Sequence, residues 1–356
     1  MSPSERDLDE SPARAVASYE GAAQHYLSPQ RRDPVKVLSE EPISRRIIAG
    51  ALSWLDIPDD APVRVLDVGS GTADGFSLLT APGEDGVAVL PESRCRYVGL
   101  DVDPEMVATA AAHITSPRAE FVLGDVRDDL PDGEFDLYLS CGVPYSHLRS
   151  DELGEALASV LGSITAGRRR AAVVVDVLGR YSVEWQPRWH LDRWDYAMSF
   201  FAGGGEHIEE PMTFYDRTSL DRVVAGAAAT TGARITRRAH TDRSVLLGRH
   251  TATGTFHPGV PRFRSLVNAL VRDPEGVRAE QLHFTPAVDG APDAVLAHLA
   301  AFARRWNATL EPFVGRALSD SDAARLADGL LTCERDAAGA GLGVGHSLTA
   351  TLLVEP

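Results

Sequence analysis

The sequence predicts an α/β fold, a parallel sheet with helices on both faces, followed by an appended C-terminal α+β subdomain. Three observations predict it. Short unbroken apolar runs alternate with helical patterns between residues 64 and 177, as strands buried on both faces do. The first of these runs ends in an acid and enters a glycine turn, which places a ligand at the carboxyl end of a strand. Beyond residue 250 the alternation gives way to helical segments and one final strand.

Taken in order, residues 1–14 are polar with two prolines and are expected to be disordered. Residues 15–55 are helical in pattern with a break at Ser28-Pro29, and 47–55 reads as a mostly buried helix. Strands follow at 64–68, 97–101, 119–123, 135–141 and 171–177, with helices at 73–79, 104–113 and 151–165. Residues 181–217 are rich in aromatics without a clean period and read as an inserted substrate cover. A helix at 219–231 then leads to a hairpin, 234–240 and 245–250, joined by Thr241-Asp242-Arg243. That hairpin is expected to close the first domain, 15–250. In the second, 251–356, a loop at 258–261 precedes helices at 266–271, 291–318 and 321–337, a glycine turn at 341–345 and a strand at 348–354.

Composition excludes some classes. With 44% hydrophobic and 24% charged residues over 356 positions, the chain can bury a core for one and a half to two domains. No apolar run approaches the roughly 18 residues of a membrane span, and the polar N-terminus carries no leader pattern, so the cytoplasm is the expected compartment. A net charge of −16 argues against nucleic-acid binding, which draws on Lys and Arg. Arg168-Arg169-Arg170 precedes an apolar strand and reads as a solvated turn. Lys36 is the only lysine, and arginine, alanine and glycine are abundant, as in GC-rich genomes. Cys95, Cys141 and Cys333 are too scattered for a disulfide framework or a Cys-based zinc site.

The most informative segment is Asp67-Val68-Gly69-Ser70-Gly71-Thr72-Ala73-Asp74-Gly75. Glycines here let a backbone approach a ligand. A dinucleotide site would want Gly-x-Gly-x-x-Gly with pyrophosphate on the helix N-terminus, but Asp74 stands at the third position and would repel it. S-adenosylmethionine (SAM) has no phosphate and carries cationic groups, so these acids suit it better than NAD. Asp101, ending the second strand, is placed to accept from both ribose hydroxyls. Asp125, in Gly124-Asp125-Val126 after the third, can take the adenine amino group.

In order and spacing these segments resemble the motifs of the class I SAM-dependent methyltransferases over roughly residues 40–250, a family with a Rossmann-like sheet. The resemblance implies that Asp67, Gly69, Ser70 and Gly71 line the methionine end. It places Val102 beside the adenine, Asp125 and Val126 closing that pocket, and Cys141 at the cofactor's edge. It also implies a Tyr over the cofactor from the N-terminal segment, either Tyr19 or Tyr26. Ala73 stands where the motif has its third glycine, a mild departure.

Acceptor residues are expected after the fourth and fifth strands. Val143-Pro144-Tyr145 is only faintly similar to the Asn-Pro-Pro-Tyr motif of amino methyltransferases and lacks its first two members. Tyr145 and His147 are candidates by position, as are Arg180 (a clamp for a substrate carboxylate), Tyr181 and Trp185. In the family's topology the last strand is antiparallel, so the segment from His240 to Arg243 is expected on the active-site side. His240, His250, His283 and His346, with Gln281, raise a divalent metal as a candidate ligand without fixing its residues. A metal chelated by a 2-oxo acid would stabilise its enolate for C-methylation, the reaction of the 2-oxo-acid C-methyltransferases of actinomycete peptide biosynthesis, a branch of secondary metabolism. O- or N-methylation of another small metabolite is the broader expectation. A dinucleotide-dependent oxidoreductase and a non-catalytic SAM-binding protein are the competing classes. A homodimer is expected by analogy alone.

Overall fold

Nine strands form one sheet in the computed structural model, which describes residues 27–28, 32–128, 130–198, 208–249 and 254–356. Tyr19, Tyr26 and His250 lie outside the described residues. Five strands run parallel: β1 (Val63–Val68), β2 (Cys95–Asp101), β3 (Ala119–Leu123), β4 (Leu137–Leu139) and β5 (Ala171–Gly179). Their order is β3-β2-β1-β4-β5, so the chain leaves β1 in one direction to β2 and lies beside β4 on the other. Such a reversal opens a crevice at the strands' carboxyl ends.

Both faces are covered, which explains the unbroken apolar strands. On one face α4 (Ser150–Gly167) and α5 (Arg217–Thr231) bury Leu153, Leu157, Val160, Leu220 and Val224. On the other, α1 (Glu41–Ser53) and α2 (Asp74–Thr80) bury Ile48, Ala51, Phe76 and Leu79. Next to them α3 (Pro104–His113) is started by Asp103, whose carboxylate accepts from the N–H groups of Glu105 and Met106 at 2.8 and 3.3 Å.

The aromatic stretch after β5 is a two-stranded ribbon, β6 (Arg193–Met198) and β7 (Ile208–Tyr215). Trp194 and Tyr196 are buried with exposed Asp195 between them, the period of a strand. β7 continues alongside the end of β5, Leu178 facing Phe214 and Gly179 facing Tyr215.

The sheet closes differently from the expectation. β8 (Arg234–Arg243) is present, but its partner is β9 (Ser347–Glu355), the last strand of the chain. β9 is antiparallel to β5 from Ala171↔Val354 to Leu178↔Ser347. Residues 245–249 form no strand. The N–H groups of Val245, Leu246 and Leu247 instead donate to the buried carboxylate of Glu334 at 2.7, 2.7 and 3.0 Å. β9 takes the place between β5 and β8 because its run from Ser347 to Val354 is buried throughout, which a three-residue apolar run cannot match.

Residues 244–346 are therefore an insertion between the last two strands rather than an α+β appendage. Its described elements longer than one turn are helices: α6 (Phe263–Arg272), α7 (Asp293–Leu310) and α8 (Asp320–Ala337). Their core, including Val267, Phe302, Trp306 and Leu330, is continuous with Trp185, Trp194 and Phe214 beside the sheet's carboxyl end. Among the described residues no helix is long and apolar enough to cross a membrane.

Candidate active site

At the carboxyl end of β1 the buried Asp67 accepts from the Tyr97 hydroxyl at 2.5 Å through Oδ2, while Oδ1 is buried without a partner among the described residues. Burial pushes its pKa up to about 7 against the opposing Tyr97 bond. The two motif glycines do different jobs. A Cβ on Gly69 (φ +68°) would lie 2.3 Å from the Pro144 side chain, so this glycine admits the loop after β4. Gly71 (φ +52°) has nothing within 4 Å of its Cβ position and presents open backbone, as a cofactor contact requires. Gly75 is equally fixed, since a Cβ there would fall 2.0 Å from Asp67 Oδ2.

Ala73 caps α2 at φ 72°, a left-handed conformation that a side chain disfavours, so the missing glycine is a strained departure rather than a mild one. Asp74, read from the sequence as suited to a cationic ligand, pairs with Lys36 at 3.1 Å.

Asp101 accepts from Gly71 N–H at 2.7 Å and Asp103 N–H at 3.0 Å, which pins the glycine turn and leaves each oxygen a second lone pair for a ribose hydroxyl. Beside it Val102 is an exposed apolar side chain, 41% accessible, of the kind an adenine ring covers. The buried Ser70 hydroxyl has no partner among the described residues. Asp125 is more engaged than expected: Arg127 Nε lies 3.0 Å from both of its oxygens. Burial would raise this carboxyl's pKa, but the Arg127 bonds and charge lower it. Val126 is buried beneath. Open backbone at Gly71, orphaned oxygens at Asp67 and Ser70, and exposed Val102 together fit a cationic nucleoside.

The acceptor candidates separate. Tyr145 and His147 form a turn after β4 and lie near that crevice. Tyr145 is buried, and desolvation with the nearby Asp67 raises its hydroxyl pKa. Burial, then the Arg193 charge, lowers His147 to about 4, so its imidazole is neutral at pH 7. Cys141 bridges the two halves: burial, with Asp67 and Asp176 near, keeps its thiol protonated.

Arg180 is not a free clamp, because its Nε donates to the Trp189 carbonyl at 3.0 Å and Nη1 lies 3.9 Å from Asp216. Trp185 is fully buried, donates to the Gly179 and Arg180 carbonyls at 3.0 and 3.1 Å, and centres an aromatic cluster. Tyr181 packs edge-on against Trp189. His240 lies mid-strand opposite Ala350 and meets Asp221 of α5 at 3.0 Å, so it belongs to a helix-covered face. At the other end of β8, Arg243 donates to Asp176 of β5 at 2.9 Å.

Residues 65–167 match the family model described as a methyltransferase domain. The chain carries a methyltransferase domain. It is similar in fold to a SAM-dependent methyltransferase from Clostridium acetobutylicum ATCC 824 (14% identity, TM-score 0.40, 62% of this chain and 90% of that one). A complex between the Haloferax volcanii Trm112 methyltransferase activator and a methyltransferase matches at 15% identity and TM-score 0.43, over 96% of this chain and 97% of that one. The magnesium protoporphyrin IX methyltransferase of Synechocystis PCC 6803 with bound SAH matches at 12% identity and TM-score 0.39, over 63% and 88%.

The chain also contains candidate site residues that sequence reasoning missed. Asp176, a buried acid near the end of β5, accepts from Gly142 N–H at 3.0 Å, from Thr349 at 2.9 Å and from Arg243 at 2.9 Å. It thereby holds the loop after β4, where the β-branched Val143 sits at φ 65°. Beyond it Glu40 meets Arg264 at 2.6 Å and Asp33 meets Arg264 at 2.7 Å, which ties α6 of the insertion to the segment preceding α1. An acid interrupting an otherwise apolar strand was the one visible signal. The histidines considered for a metal do not converge: His240 is on Asp221, His346 on Glu184, and among the described residues no group of three His, Cys, Asp or Glu side chains could hold an ion.

Proposed function

We propose that this methyltransferase acts on a small metabolite seated over the carboxyl ends of β4 and β5, with methyl transfer to oxygen or nitrogen. One observation carries the reading. An aromatic cluster of the chain's own, Trp185, Trp194 and Phe214 with Phe256 of the insertion, packs over the end of β5. The acidic net charge of −16 supports it.

SAM supplies an electrophilic methyl group. The chain's residues supply orientation: the turn pinned by Asp101 fixes the cofactor end, and the loop pinned by Asp176 fixes the acceptor end, so the reacting atoms meet in line. The Tyr145–His147 turn and the aromatic cover exclude water.

The test is incubation with methyl-labelled SAM and a panel of phenols, carboxylic acids, amines and 2-oxo acids, with and without EDTA, followed by mass spectrometry. An O- or N-methyl product unaffected by EDTA is expected. A C-methyl product lost with EDTA would replace this reading by metal-assisted 2-oxo-acid methylation, and label on RNA or protein alone would overturn it.

A further inference from the structure

Two residues 162 positions apart meet where β5 ends: His346 Nδ1 and Glu184 Oε2 are 2.5 Å apart. Glu184, in the turn after β5, is 2% exposed, and its Oε1 is buried with no partner among the described residues. The Ser182 hydroxyl lies 3.3 Å from Oε2, and a Cβ on Gly248 would fall 2.0 Å from it, so the insertion's entry segment packs directly on the carboxylate. The other groups facing it are the buried Tyr196 hydroxyl and, beside that, Arg249.

His346 stands out by exposure. From Gly343 to Val354 it is the only residue that is not buried, its side chain 13% accessible. With Nδ1 turned inward to Glu184, the opposite edge of the ring carries Nε2, for which no hydrogen-bond partner occurs among the described residues. The ring is also held still. His346 N–H donates to the Ser244 carbonyl at 2.9 Å, its carbonyl accepts from Gly179 N–H at 3.1 Å, and Trp185 lies 5.4 Å away edge-on. The preceding turn is pinned by Asp242, which accepts from the N–H groups of Leu342, Gly343 and Val344 at 2.8, 2.8 and 3.0 Å.

We infer that His346 is the base that removes the acceptor's proton and that Glu184 is its positioning residue. The inference rests on the small-molecule reading above. Glu184 fixes the tautomer with the proton on Nδ1, which leaves a lone pair on Nε2 at the carboxyl end of β5, where the acceptor is proposed to sit. As the acceptor's O–H or N–H reacts, its lone pair forms the new bond to the methyl carbon. The sulfur–carbon bond breaks with its electron pair left on sulfur. The proton passes to His346 Nε2, and the resulting imidazolium is balanced by the Glu184 carboxylate. A base so placed contributes on the order of 10²–10⁴-fold in rate.

The test uses the full chain, methyl-tritiated SAM, and catechol, 4-hydroxybenzoate, tyramine and imidazole-4-acetate as acceptors, together with nitrogen-15 spectra of the imidazoles. Protonated Nδ1 and bare Nε2 are expected for His346 at pH 8, with that preference lost in Glu184→Gln. His346→Gln should lower kcat by about 10²–10³-fold, leave the KM for SAM within about twofold, and remove the acidic limb of the pH–rate profile. Glu184→Gln should lower kcat about tenfold. Unchanged binding of S-adenosylhomocysteine by both variants shows that they fold. A His346→Gln enzyme with wild-type kcat and an intact acidic limb, or a proton on Nε2 in place of Nδ1, would overturn the assignment. A panel that takes no label contradicts the small-molecule reading instead, while the ring tautomer still decides on the pair.

Discussion

The two ends of the crevice are built by different rules. At the cofactor end the decisive contacts join neighbouring strand ends: Asp67 to Tyr97 and Asp101 to Gly71, each 30 residues apart. At the acceptor end they span the chain: Asp176 to Arg243 over 67 residues, Glu184 to His346 over 162, and Arg264 to Asp33 over 231. A cofactor shared by many proteins can be met by one local strand–turn–helix grammar. An acceptor site is assembled from whatever elements the insertion and the last strand bring together.

That contrast can be broken most forcefully at Asp176. Its replacement by Ala leaves the buried Arg243 without its closest carboxylate, and a loss of about 3–5 kcal/mol in denaturant unfolding is expected. A loss under about 1 kcal/mol would mean that the Glu40 charge with the Ser44 and Ser347 hydroxyls suffices to hold Arg243.

Glu334→Ala removes the acceptor of three buried N–H groups and should cost about 3 kcal/mol, with Glu334→Gln milder because one acceptor oxygen remains. Equal losses in the two variants would show that packing, not hydrogen bonding, fixes residues 245–247.

At the cofactor end the expected effects are smaller and concern binding. Asp67 is raised to about 7, and a cation bound beside it favours the carboxylate, so SAM binding should release a proton. Affinity measured by calorimetry should then weaken as pH falls below about 7, by up to about tenfold per pH unit, and Asp67→Asn should flatten that slope. The smallest change is Ala73→Gly, which relieves the φ of 72° and should stabilise by about 1 kcal/mol in thermal unfolding.

Legibility follows the same division. The five parallel strands, and the acids at or just after the ends of the first three, could be read because each is a short pattern with its own turn chemistry. The ribbon at β6 and β7 had a visible period in Trp194-Asp195-Tyr196 that the surrounding aromatics concealed. The closing strand could not be assigned from the sequence, since Val245-Leu246-Leu247 and the run from Ser347 to Glu355 are both apolar, and only the competition for the edge of β5 separates them. Arg180 looked like a substrate clamp by position, yet the carbonyls of Trp189 and His190 claim it. Nothing in the spacing of Glu184 and His346 announces a pair.

The most direct test of the division is calorimetric binding of S-adenosylhomocysteine to Asp101→Asn and Glu184→Gln, alongside methyl transfer by each. Asp101→Asn should weaken binding at least about tenfold, since it loosens both the proposed ribose contact and the Gly71 turn. Glu184→Gln should bind within about twofold of wild type while transfer falls about tenfold. Comparable loss of cofactor affinity in Glu184→Gln, or unchanged affinity in Asp101→Asn, would contradict that division.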